Sequence, residues 1–214
     1  MGRRLPELLI DRWQHRVEPE PGHGTLYWHI LLGDNVQAQA VARQAQERLA
    51  CTTGLHMTPM RWLHMTALIV GSTDTITPDH IQMMLAGASR RLSKVPPIVV
   101  TLGRILYHPE AIMLGVRPEV ALNPIHDAVR AATRETIGMD GGVTGGSTLW
   151  TPHMTVCYST AQQQAAPIIA ALGDELPGSE VTVSAVSLVI QRGAERLWDW
   201  HPVGVARLCG GYEE

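Results

Sequence analysis

The sequence predicts an α+β fold: a duplicated, two-lobed unit in which antiparallel sheets line a central cleft and helices cover the outside. Three observations carry that prediction. Strand and helix patterns alternate along the chain and partly repeat in its second half. One tripeptide, His-Met-Thr, stands on a strand-like run in each half, at His64-Met65-Thr66 and at His153-Met154-Thr155. The composition, 45% apolar and 17% charged over 214 residues, is that of a globular chain with enough apolar surface for a core.

Residues 1–24 read as a loosely ordered tail, closed by Pro19, Pro21, Gly22 and Gly24; residues 25–214 read as one bilobal domain. Arg3-Arg4 followed by Leu5 to Ile10 imitates a leader. The apolar run is short and broken by Pro6, Glu7 and Asp11, so a surface helix or tail is expected instead. Thr25 to Leu32 is a short apolar strand ended by Gly33-Asp34-Asn35. Val36 to Ala50 has helical spacing, and Arg61 to Val70 is a second strand. A helix over Pro78 to Leu92 is opened by Thr77 as N-cap, with Pro78 at its first position. Pro97 to Leu102 and Ala111 to Val116 form two strands joined by a turn at His108-Pro109-Glu110. Pro124 to Ile137 is helical and runs into a glycine-rich loop, Gly138 to Gly146. His153 to Tyr158 is a strand, Gln162 to Leu176 a helix that becomes regular near Pro167, Val181 to Ile190 a strand, and Glu195 to Val205 the last one.

Charge and cysteine content narrow the classes of function. A net charge of −3 argues against a binder of long nucleic acid, which needs a broad basic surface; a single phosphate needs only a local donor cluster. Basic residues are Arg apart from Lys94, and a guanidinium fork suits phosphate, although a compositional habit explains this as well. Cys51, Cys157 and Cys209 are scattered and have no metal-ligand spacing, which fits a reduced, cytoplasmic compartment. No run is long enough to span a bilayer. Neither a metal site nor a cofactor is expected: the ten histidines include no His-x-x-x-His or carboxylate-bracketed pair in a suitable place.

The repeated tripeptide carries the chemistry. On a strand, residues i and i+2 share a face, so each motif sends one imidazole and one hydroxyl into the same space, while Met65 and Met154 point back toward the helices. Two such strands related by a pseudo-twofold set two imidazoles on opposite sides of one small ligand. One His, neutral, can take a proton from an attacking hydroxyl or water, and the other, protonated, can give one to the departing oxygen. The Thr hydroxyls can donate to non-bridging phosphate oxygens. A His and a Thr sharing a strand face can equally be structural, and spacing alone leaves both readings open.

The chain resembles the 2H phosphoesterase superfamily, and within it the bacterial proteins of the 2′-5′ RNA ligase family. The likeness extends from about Leu26 to about Val205. It rests on Tyr27 to Asp34, on Arg61-Trp62-Leu63-His64-Met65-Thr66, on Trp150-Thr151-Pro152-His153-Met154-Thr155 and, less specifically, on Val183 to Val189. The resemblance implies a bilobal, metal-independent enzyme with His64, Thr66, His153 and Thr155 as catalytic residues. The substrates it implies are 2′,3′-cyclic phosphates, 2′-5′ linkages or related phosphoesters, here on a nucleotide or an RNA end. A non-catalytic nucleotide or RNA-end binding module on the same fold is the competing reading.

Two further residues are candidate substrate contacts. Trp62 shares strand parity with His64 and either stacks on a base or is a core or strand-end Trp. His29 either hydrogen-bonds phosphate or orients a catalytic His, or is a satisfied core histidine. Tyr158 has the parity of Met154 and Val156 and is expected to point away from His153. Asp140 to Ser147 lacks the ending and the preceding strand of a phosphate loop, and is read as a lid or a plain loop. A third copy, His56-Met57-Thr58, lies eight positions before His64. Because Pro59 follows it and Gly54 precedes it, this copy is expected to be a connecting segment and a decoy.

Overall fold

In the computed structural model, the described residues are 5–16, 20, 22–141 and 150–210. Among them, eleven strands and four helices follow one another along the chain: β1 (Leu8–Leu9), β2 (Gly24–Leu31), α1 (Val36–Arg48), β3 (Leu55–Met57), β4 (His64–Ser72), α2 (Pro78–Leu92), β5 (Ile98–His108), β6 (Ala111–Arg117), α3 (Asn123–Ile137), β7 (His153–Ser159), β8 (Gln163–Gln164), α4 (Ala166–Leu172), β9 (Glu175–Val183), β10 (Ala185–Arg192) and β11 (Trp200–Arg207). Short 3₁₀ turns precede β4 at Met60–Trp62 and β11 at Glu195–Leu197.

The strands make two main antiparallel sheets. One has the order β11-β10-β2-β4 and the other β3-β7-β6-β5-β9. The motif strands β4 and β7 thus occupy similar places, β4 beside β2 and β7 beside β6, with a helix between the two strands of each pair in the chain. The lobes are not the two halves of the sequence, however. The first sheet takes β2 and β4 from the first half and β10 and β11 from the end. Helices exchange as well: α1, which follows β2, packs on the five-stranded sheet and on α4, whereas α3, which follows β6, packs on β4 and on α2.

Local chemistry explains the element ends. Asn35 caps α1 by accepting from the Ala38 amide at 2.9 Å, so Asn35→Ala is expected to cost about 1 kcal/mol in denaturant unfolding. Thr77 caps α2 with Pro78 in the first turn, as expected, and the His80 ring completes a reciprocal box. Gly138 ends α3 with φ of 73°. The core lies between sheets and helices: Trp28, on β2, is fully buried and its indole donates to Thr133 on α3 at 3.2 Å.

Three expectations are corrected. The helix over Gln162 to Leu176 is only seven residues long, because Gly173 turns the chain at φ of 72°. The segment Val181 to Ile190 is not one strand: β9 lies on β5, and β10 on β2 and β11, with the switch at Ser184. Pro177 and Gly178 hide β9 in the sequence, and they are tolerated because β9 is the sheet edge. Within the stretch expected as a loose tail, β1 pairs with β8, Leu9 is fully buried, and the Ile10 and Arg12 amides donate to Pro109 and Ser159.

Candidate active site

Both motif histidines are the first residues of their strands, and both are held in the same way. The His64 Nδ1 lies 2.7 Å from the Trp62 carbonyl oxygen and the His153 Nδ1 2.8 Å from that of Thr151. A carbonyl only accepts, so each Nδ1 carries the hydrogen and proton exchange falls to Nε2. The run into β4 is fixed by close packing: a Cβ on Gly33 would stand 2.1 Å from the Arg61 carbonyl oxygen, and the Leu32 amide donates to the Leu63 carbonyl. Met65 and Met154 are fully buried in the core, and Thr66 and Thr155 are half-buried with the histidines, as the strand alternation requires.

The two motifs are physically connected. The Trp150 indole, three residues before His153, donates to the Thr66 carbonyl at 3.0 Å. Burial lowers the His64 pKa; the Trp62 carbonyl and the charge of Glu195 oppose this, and His153 lowers it further. His64 and His153 are thus within electrostatic reach of each other.

The candidates His29 and Trp62 also come to this place. The His29 ring stacks on that of His64, centroids 4.2 Å apart and planes 25° apart. His29 is 2% exposed, and burial, then the charge of His64, pushes its pKa well down. Trp200 stands edge-on to His29, His64 and Trp62 at 5.5, 5.7 and 4.7 Å. The half-buried Trp62 also has the Arg61 guanidinium 5.1 Å from its ring.

Tyr158 corrects the parity argument. In the β6–β7 register Met113 faces Thr155 and Ile112 faces Cys157, so Val156 is an extra residue. Val156 and Cys157 both enter the main core, and Tyr158 returns to the face of Thr155, whose side chain is within hydrogen-bond reach of its hydroxyl. Burial pushes the Tyr158 phenol up to about 12. The same bulge recurs in β4, where Ala67 is the extra residue between the pairs His29–Thr66 and Trp28–Leu68. A bulge breaks period-two alternation, and no residue type at Val156 or Ala67 announces it.

A second aromatic cluster surrounds Tyr158. Trp13, Trp198 and His56 pack about it, and the Arg12 guanidinium lies 4.5 Å over its ring. Arg12 donates to both oxygens of Glu195, at 2.9 and 2.6 Å, and to Glu110 at 3.0 Å. Trp198 adopts φ of 56°, a conformation that is costly for a bulky side chain, and its ring lies 6.3 Å from His64. None of Arg12, Trp13, Glu195, Trp198 or Trp200 has a sequence signature; they come from the two chain ends and meet only in three dimensions.

The His56 copy is not a mere connection. Leu55–Met57 is the edge strand β3, paired with β7 so that His56 faces Tyr158, and Thr58-Pro59 ends it. The glycine-rich loop lies largely outside the described residues: Gly138 to Gly141 are seen, with Asp140 ion-paired to Arg130 at 2.7 Å, and residues 142–146 are not described. Among the described residues no group of three His, Cys, Asp or Glu side chains is placed to hold a metal ion, and no helix is long and apolar enough to cross a membrane. All three cysteines are free.

The family model described as the 2′-5′ RNA ligase superfamily matches residues 20–195. No curated protein matches the chain in sequence. Among solved structures, TT0787 of Thermus thermophilus is similar with a TM-score of 0.68 and 19% identity, covering 88% of this chain and 100% of that one. E. coli LigT complexed with 3′-AMP gives 0.63 and 16%, covering 89% and 99%. LigT has also been solved with ATP and with NADP+. At these identities the structural likeness establishes the fold, two antiparallel sheets with four helices.

Proposed function

The chain belongs to the 2′-5′ RNA ligase superfamily, and from that premise we propose that it is a metal-independent phosphoesterase acting on a 2′,3′-cyclic phosphate or a 2′-5′ phosphodiester of a nucleotide or RNA end. One observation carries the reading: two imidazoles on strands of different sheets, each with Nδ1 held by the carbonyl two residues back, lie within electrostatic reach of each other beside a paired set of hydroxyls. That arrangement supplies a base and an acid at Nε2 on opposite sides of one phosphorus. Thr66 and Thr155 donate to the non-bridging oxygens, whose charge is redistributed in the transition state. Trp62 offers a half-buried ring at the mouth for a base. The nucleotide complexes of LigT support the substrate class.

The test is product identification from a panel of 2′,3′-cyclic nucleotides and 2′-5′-linked dinucleotides, separating 2′- from 3′-phosphates. Turnover to a single monophosphate is the expected result. Binding of the same panel without turnover would make the chain a nucleotide-binding module instead. Activity is expected to survive exhaustive chelation and to gain nothing from added divalent ions; loss under chelator with rescue by one metal would overturn the mechanism.

A further inference from the structure

The family match begins at residue 20 and ends at residue 195, and the chain brings side chains from beyond both limits to the catalytic centre. The segment before residue 20 lies along the lobe of the five-stranded sheet. Leu8 and Leu9 pair with β8, and the Glu7 carbonyl accepts from Ala165. The Ile10 and Arg12 amides donate to Pro109, between β5 and β6, and to Ser159 at the end of β7. The backbone of residues 7–12 is therefore fixed to one lobe.

Its side chains reach the other lobe. Arg12 is 15% exposed. It donates from Nε and Nη2 to the Glu195 carboxylate, at 2.9 and 2.6 Å, and from Nη1 to Glu110 at 3.0 Å. Glu195 opens the 3₁₀ turn that leads into β11, in the sheet of His64, whereas Glu110 lies between β5 and β6. One guanidinium thus joins the two sheets, and a two-pronged, charge-assisted contact fixes direction as well as distance. Arg16 touches the same two carboxylates from 47% exposure and stands 3.9 Å from Glu195, so it does not duplicate the fork.

Past Glu195, Trp198 turns the chain at φ of 56°, with its amide bonded back to the Glu195 carbonyl. A bulky residue keeps that conformation only where its surroundings over-determine it. Here they are Tyr158 and His56 of the five-stranded sheet, 5.8 and 6.2 Å from the Trp198 ring, and Trp13 packs on both. The turn then delivers Trp198 and Trp200 to His64, at 6.3 and 5.7 Å. Both indoles are buried, so they pack the imidazole in place rather than offer a surface to substrate. Toward the second motif, Arg12 lies 4.5 Å over the Tyr158 ring, whose hydroxyl is within hydrogen-bond reach of Thr155.

We propose that residues 7–16 are a clasp that completes the catalytic cleft, with Arg12 as a positioning residue: anchored on the lobe of His153, it holds the turn at 195–200 of the other lobe against His64 and seats Tyr158 beside Thr155. This rests on the phosphoesterase reading and adds to the site a part that lies outside the family match.

The experiment uses the full chain, with Arg12→Met, Arg12→Lys and Glu195→Gln, and with Arg16→Met as control. It reads kcat and KM on the cyclic nucleotide that the parent turns over. It also reads the fluorine NMR spectrum of fluorotryptophan-labelled protein, with the Trp198 and Trp200 resonances assigned by Phe substitutions. Arg12→Met keeps an apolar stem over Tyr158 and loses the fork. Its kcat is expected to fall on the order of 10- to 100-fold, with KM within about three-fold of the parent. The Trp198 and Trp200 resonances should shift or broaden, while that of Trp28 in the main core stays. Lys retains the charge but cannot span both carboxylate oxygens, so the same resonances should move with a smaller loss of kcat. Adding Glu195→Gln to Arg12→Met should cost little more, because both act through one contact. Arg16→Met should match the parent. A merely structural Arg12 would lower the melting temperature and leave kcat and both resonances of the folded variant unchanged, which overturns the clasp. A rise in KM at unchanged kcat would make Arg12 a substrate contact instead. If Arg12→Met does not fold, Arg12→Lys decides: parent kcat with unmoved resonances overturns the proposal. A parent without turnover removes the phosphoesterase reading, and unmoved resonances would then remove the clasp independently of it.

Discussion

His64→Ala and His153→Ala are each expected to lower turnover on the order of 10²- to 10⁴-fold, the usual share of a general acid or base, with the fold retained. The two effects should not multiply in the double variant, because either loss already removes the concerted proton transfer. His56→Ala is the control that shares the same tripeptide. His56 packs between Trp13 and Trp198 on the edge strand β3, so its removal opens a gap in an aromatic cluster and lowers the melting temperature. Turnover of the folded protein should remain within a few-fold of the parent. Steady-state kinetics on the three variants, with circular dichroism for the fold, checks this. A crippling His56→Ala beside a harmless His64→Ala would mean that the wrong strand has been taken for the catalytic one.

Acid lability is the second large effect. His29 and His64 are both held neutral by burial, with pKa values below the ordinary imidazole range. Unfolding returns both rings to water, where they take up protons below about pH 6.5. The unfolded state then binds more protons than the folded one, so stability is complete above that pH and is lost as pH falls toward the lowered folded values. The limiting slope is about 1.4 kcal/mol per pH unit for each ring. His126, lowered chiefly by partial burial, adds to the same window, and the carboxylates whose pKa values are lowered, such as Glu195, act only at lower pH. Urea melts between about pH 7.5 and 5.5, a window that brackets the reference imidazole value, should show the loss, and His29→Phe should reduce its slope by the share of one ring. A stability that is flat through this window would mean that His29 and His64 are solvated in the folded state.

The strand and helix order was legible because the core faces obey simple periods: Leu26, Trp28 and Ile30 alternate on β2, and α2 begins where Thr77-Pro78 says it should. That each motif sends its His and Thr to one face was legible for the same reason, since His64 and Thr66 precede the first irregularity on their strand. What lay beyond the bulges was not. Tyr158 is misread by alternation because Val156 takes two core positions with Cys157, and β9 is misread because Pro177 and Gly178 are what an edge strand tolerates and a central one does not. The aromatic cluster of Trp13, Tyr158 and Trp198 has no local signal whatever. Its members are separated by most of the chain and are joined by Arg12 and Glu195, whose ion pair spans 183 positions.

The exchange of strands between sequence halves bears on how this chain reaches its native state. The sheet that carries His64 is complete only when β10 and β11 have been made, and the helix that covers β4 is α3, delivered after β6. A ribosome that has released the first half has completed neither sheet: β2 and β4 can pair, with an open edge toward β10, while β3 and β5 still lack β7 and β6. Ordering that pair costs loop-closure entropy long before its partners arrive. Late assembly is therefore the expected result, and a chain cut between α2 and β5 should yield two fragments that are unstructured apart and complete the sheet carrying His64 only when mixed.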